Sequence, residues 1–234
     1  MKALNKALPG LCIGIGLIVM GCLLSHGIIT VKDRDRIVTV KGLAEREVKA
    51  DRVIWPLVFK EIGNDMTSIY NAVNKKNEIV CDFLKNNGIN ENEISIAAPQ
   101  IIDMRAERYA NNNEIPYRYN VTSVITVTSN QIDKVRELIS RQVDLLKQGV
   151  AIIDGDYRYT TQYSFTGLND IKPEMIEEAT VAARIGAEKF AKDSELGKIR
   201  RANQGQFVIS NRDENTPYIK EVRVVTTIDY YLKD

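Results

Sequence analysis

Three kinds of side chain in this sequence are placed where they could do chemistry: clustered carboxylates, a thiol on a helix, and tyrosines beside an arginine. Glu45, Glu47 and Asp51 follow one another closely, and Asp154 and Asp156 bracket Gly155. Paired carboxylates share a proton in acid–base catalysis or ligate a hard cation. Among 31 acidic residues such clusters also arise by chance, and Asp154-Gly155-Asp156 lacks the further oxygen ligands of a calcium loop, so it reads as a solvated turn. Cys81 falls at the edge of an amphipathic helical stripe. The single histidine, His26, lies in an apolar segment, so the rest of the chain has no imidazole to serve a thiol or hydroxyl as base. Cys81 therefore reads as a packing residue. No Gly-x-Ser-x-Gly is present, and Gly14 and Gly16 belong to the apolar run rather than to a strand–helix phosphate loop. No catalytic residue, cofactor site or metal site is expected.

The tyrosines are the remaining candidates. Tyr157, Arg158, Tyr159 and Tyr163 could form a binding surface or an oligomer interface, because Tyr and Arg are enriched there. Ordinary strand propensity explains the same residues. Pro116-Tyr117-Arg118-Tyr119-Asn120 carries the same ambiguity. Asn120-Val121-Thr122 matches a glycosylation acceptor but sits in a strand-like run.

The elements that would position these groups begin with an apolar segment. Between Lys6 and Lys32 no charged residue occurs, and 8–31 is mostly Leu, Ile, Val, Gly, Met and Cys. As a helix that stretch reaches roughly 36 Å at 1.5 Å per residue, against a hydrocarbon core of about 30 Å. It is longer than the apolar centre of a signal peptide, and no convincing Ala-x-Ala follows. The expectation is an uncleaved transmembrane signal-anchor over 1–31, with the following domain in the periplasm. The alternative is a lipoprotein acylated at Cys22 of Val19-Met20-Gly21-Cys22. Met20 and the apolar residues beyond Cys22 fit that alternative poorly. A charged hinge at 32–36 follows, then one extracytoplasmic domain over 37–234.

That domain reads as α+β, with antiparallel or mixed sheets and three packed helices in the order ββαββαβαββ. Alternation predicts strands at 37–42, 52–62, 94–105, 117–129, 151–165, 205–211 and 219–232. Pro56 suggests that the second is an edge strand or carries a bulge. Helical spacing predicts helices at 66–87, 131–148 and 172–194, the last rich in alanine. Asn64 or Asp65 is the N-cap of the first, and Gly88 its terminator. Removing Lys2 and Lys6 leaves 30 basic against 31 acidic residues. That balance supplies no field for nucleic-acid binding. With Cys12 and Cys22 in the apolar segment, Cys81 has no partner for an internal disulfide.

The run Val38-Thr39-Val40-Lys41-Gly42-Leu43-Ala44-Glu45, with Ala50-Asp51 and Trp55-Pro56 downstream, resembles the SIMPL-domain family of bacterial envelope proteins. Leu84-Lys85-Asn86-Asn87-Gly88-Ile89 and the closing β-branched strand fit the same likeness, in its membrane-anchored branch. The resemblance implies a tethered periplasmic α+β domain, self-associating and linked to envelope or oxidative stress. It brings no catalytic residues. The function expected is therefore a non-catalytic, self-associating envelope protein. The alternatives are a binding module for a protein or small ligand, and a carboxylate-dependent hydrolase built on residues such as Glu47 and Asp51.

Overall fold

The computed structural model describes residues 2–33, 36–106, 116–153, 157–192 and 194–233, without the side chains of 2–12, 29–33 and 233. The hinge residues 34–35, the polar tip at Asn111-Asn112-Asn113-Glu114 and the Asp154-Gly155-Asp156 turn lie outside the described residues. The chain is mixed α+β, and its described sheet pairings are antiparallel.

The apolar segment forms one helix, α1 (Lys2–Asp33). Its described side chains run from Ile13 to Ile28, and a Cβ added at Gly14, Gly16, Gly21 or Gly27 would meet nothing within 4 Å. Among the described residues no helix is long and apolar enough to cross a membrane. The anchor expected over 1–31 thus extends beyond the described side chains at both ends.

Two compact units follow from the chain's own packing, one formed by residues 1–46, 169–208 and 222–234, the other by 47–168 and 209–221. In the first, β1 (Ile37–Lys49) pairs with β9 (Ile219–Lys233), and β9 pairs with β7 (Glu195–Gln204). Leu232 N donates to Arg36 O at 2.9 Å, and Thr39 Oγ1 to Asp229 Oδ1 at 2.8 Å. Partner numbers fall as β1 advances, so the pair is antiparallel. α5 (Leu168–Phe190) covers this sheet with Met175, Ala179, Ala183 and Ala187, all fully buried at four-residue spacing.

Packing at this depth requires β1 to offer almost no side chain. Every second residue of β1 faces inward, and the inward series shrinks through Val40, Gly42 and Ala44. A Cβ on Gly42 would stand 1.8 Å from Ala179 O and 2.5 Å from Ala183 N. Val40, Ala183, Ala187, Ile228 and Tyr230 close the core around this contact.

The second unit is built on β2 (Arg52–Gly63) and β5 (Tyr119–Ser129), paired in unbroken register from Val53↔Ser129 to Gly63↔Tyr119. Two short strands, β3 (Ile94–Ile96) and β4 (Gln100–Asp103), line the other side of β5. β6 (Gln162–Ser164) meets β2 only at Arg52–Ile54. β2 is therefore an inner strand that has lost its second partner by Pro56, which reconciles the proline with its place and needs no bulge. Trp55, Leu57 and Phe59 are buried under Ile69, Val73, Val80, Phe83 and Leu84 of α2 (Met66–Asn86). Asp65 caps α2 by accepting from Ser68 N at 2.7 Å, and Gly88 ends it with φ +82°.

Several elements depart from the sequence expectation. The helix expected over 131–148 is two, α3 (Ile132–Ser140) and α4 (Val143–Lys147). The turn between them shifts the phase, so Leu145 is buried while Val143 and Leu146 are exposed. The strand expected over 94–105 is likewise two. The strand expected over 151–165 is reduced to β6, with a 3₁₀ turn at Tyr157–Tyr159 in place of alternation. β7 was not foreseen: Glu195–Gln204 is charged and mostly exposed, and it is held by pairing with β9 rather than by burial. Before β9 there is also a short strand, β8 (Val208–Asn211).

Candidate functional site

Glu45, Glu47 and Asp51 each hold donors of their own, Glu45 through Arg223 at 3.3 Å. Glu47 pairs with Arg212 at 3.3 Å. Asp51 accepts from Thr166 N at 2.8 Å, Thr166 Oγ1 at 3.0 Å and Gly167 N at 2.9 Å. Each thus fixes a chain crossing, Glu47 through Arg212 and Asp51 through the 166–167 backbone. Asp213 closes its own loop, accepting from Asn215 N at 2.8 Å, Thr216 N at 2.7 Å, the Thr216 hydroxyl, and Arg212 Nε at 3.0 Å. Those donors, Thr216 first and Arg212 next, bring its pKa down to about 2. Among the described residues no group of three or more His, Cys, Asp or Glu could hold a metal ion. Cys81 packs at the edge of the core, and burial pushes its thiol up.

The four residues singled out at 157–163 fall on two elements. Tyr157 is 86% exposed, and the Arg158 guanidinium lies 5.3 Å over the Tyr159 ring within the 3₁₀ turn. Tyr163 belongs to β6. Half-buried, it meets Tyr218 edge to face at 6.2 Å, and burial raises its phenol while Arg136 opposes the rise.

That contact leads to a site the sequence reading did not find. A cavity of about 400 Å³ opens beside the start of α3, lined by Lys49, Gln131, Asp133, Lys134, Arg136 and Tyr218 among others. Each element brings its residue by a local cause. Lys49 ends β1, and Tyr218 is fixed where its carbonyl accepts from Ala50 N at 2.9 Å. Ser129 at the end of β5 accepts from Gln131 N at 3.0 Å, which starts α3 and sets Lys134 and Arg136 at the opening. The Arg136 guanidinium lies 3.6 Å over the Tyr218 ring, a cation–π stack backed by Tyr163.

Ion pairs in this unit range from close to loose: Arg118 with Asp103 and Lys85 with Glu91 lie at 2.8 Å, whereas Arg141 lies 3.7 Å from Glu137 and 3.8 Å from Asp144. In the cavity Arg136 meets Asp133 at only 3.5 Å, and that carboxylate is 83% exposed. Lys134 donates to a carbonyl, Gly88 O, at 3.3 Å. Glu93 is engaged behind Gln131: burial raises its pKa, but hydrogen bonds from Ser129, Asn90 and Gln131 outweigh it and the net shift is downward. No motif marks these residues, because they come from 49, 131–136 and 218. The only sequence signal was the pair of basic residues on α3.

A second exposed feature belongs to the other unit. The outer face of α5 carries Glu174, Glu177 and Glu178, then Val181, Ala182 and Ile185, which line a shallow groove. Val181 and Ile185 are about half exposed, and Phe190 at the helix end is 77% exposed. Arg46 of β1 reaches Glu174 at 2.8 Å and Glu178 at 2.5 Å.

A family model described as SIMPL, protein of unknown function (DUF541), matches residues 38–226. No curated protein matches the chain.

Proposed function

The chain belongs to the SIMPL family, and from that premise we propose a membrane-tethered envelope protein that works by association rather than by chemistry. The reading places α1 in the inner membrane and the remainder in the periplasm. One observation carries it: the described stretch of α1 holds Ile13, Leu17, Ile18, Leu23, Leu24 and Ile28, each 58–68% exposed. Taking each such side chain out of water is worth roughly 1.5–3 kcal/mol. A helix with this surface requires an apolar surrounding, and lipid supplies it along the whole length. Acylation at the exposed Cys22 is the alternative form of the same tether.

Self-association is the second part of the proposal, and the outer face of α5 is where it would occur. The N-terminal half of that face carries Glu174, Glu177 and Glu178, of which Glu174 and Glu178 hold Arg46, and the end of the helix carries Lys189 beside the Arg184–Glu188 pair. Two copies of α5 lying antiparallel across Val181, Ala182 and Ile185 would set Glu177 of each toward the Lys189 end of the other. Ala182 and Gly186 allow close approach. Cross-linking of the full chain in native membranes tests this. Covalent dimers in wild type that vanish in Val181→Glu/Ile185→Glu support it, and monomers alone at every cross-linker dose refute it.

A further inference from the structure

We infer that the cavity beside α3 binds a small multivalent oxyanion, a polycarboxylate or a phosphate compound. This goes beyond the membrane reading and does not depend on it.

The volume of about 400 Å³ suits a small ligand. Three cations line it, Lys49, Lys134 and Arg136, against one carboxylate, Asp133, which is held loosely and faces solvent. A cation cluster left this poorly compensated sets up a positive potential that a low-dielectric concave wall strengthens. The arginine is also pre-positioned. Stacked at 3.6 Å on Tyr218, its plane is fixed by a ring that Tyr163 supports edge-on, so little rotamer freedom remains to be lost on binding. A guanidinium stacked over a ring directs its N–H groups outward past the ring edge, where two of them can take two oxygens of one carboxylate or phosphate. Lys49 and Lys134 enter from separate elements, which favours a ligand with more than one anionic group. Asp133 is the competitor for Arg136 that such a ligand would displace.

The test is calorimetric titration of the detergent-solubilised full chain with citrate and, separately, with inorganic phosphate, at fixed ionic strength. Saturable binding of either probe is expected, weakening as salt is raised. Arg136→Gln should lower the affinity at least about tenfold, equivalent to 1.4 kcal/mol. Lys49→Gln, at an exposed strand end where folding is not at risk, should lower it about threefold. Lys198→Gln, on β7, should leave it unchanged. Saturation by citrate alone assigns polycarboxylates, and saturation by phosphate alone assigns phosphate compounds. The inference is overturned if neither probe saturates by millimolar concentration, or if binding persists unchanged in both Arg136→Gln and Lys49→Gln.

Discussion

The residues that make this sequence recognisable do structural work. Val38, Val40, Gly42 and Ala44 line the face of β1 against α5, and Gly42 is the point where helix backbone comes closest. Gly42→Ala should therefore cost about 3 kcal/mol, since backbone rather than a flexible side chain blocks the new methyl. Urea unfolding reads this directly, and a midpoint equal to wild type would contradict the packing described. Asp51, the other recognisable position, ties β2's start to Thr166 and Gly167. Asp51→Ala should lower stability by about 1–2 kcal/mol through two unsatisfied amides. Asp213 makes a pH-dependent contribution. Its pKa falls from the ordinary 3.8 to about 2 in the folded chain. The stability it contributes is fully present above its unfolded value and is lost as pH falls through about 2. The stability difference between wild type and Asp213→Asn should thus be constant near neutrality and shrink between pH 4 and 2, as followed by circular dichroism. A difference that grows on acidification would reverse the assignment.

Among the elements, α5 presents the sharpest division between faces. Its alanine face is spent on the sheet, and its outer face keeps Val181 and Ile185 about half exposed. Val181→Glu should leave the monomer's unfolding free energy within about 0.5 kcal/mol of wild type, because an exposed surface substitution removes no core contact. A large loss would mean that this face is part of the fold. The helices and the central strands were legible because burial imposes period. α2 shows its stripe at Ile69, Val73, Val80, Phe83 and Leu84, and β5 is β-branched and buried on both faces. β7 was illegible for the opposite reason: eight of its ten residues are exposed, and partner hydrogen bonds, which sequence does not encode locally, hold them. The break between α3 and α4 was hidden because a two-residue turn leaves the apolar count unchanged while rotating which residues face inward. The cavity was hidden more deeply still. Its arginine, its lysines and its tyrosine meet only after three segments have folded, and Tyr163 was noticed without Tyr218.

The whole molecule consists of a helix with an apolar, exposed described surface and an α+β body with buried cores. The body's family follows from the match over 38–226. The body carries 30 basic and 31 acidic residues outside the first segment, so it offers no general positive charge to a membrane surface, and the proposed tether rests on α1. Alkaline carbonate extraction of membranes from cells making the full chain tests this most directly, because high pH strips peripheral proteins and leaves lipid-embedded ones. The chain should stay in the pellet, and should move to the soluble fraction when residues 8–31 are deleted. Wild-type chain recovered wholly in the supernatant would contradict the tether and the function built on it.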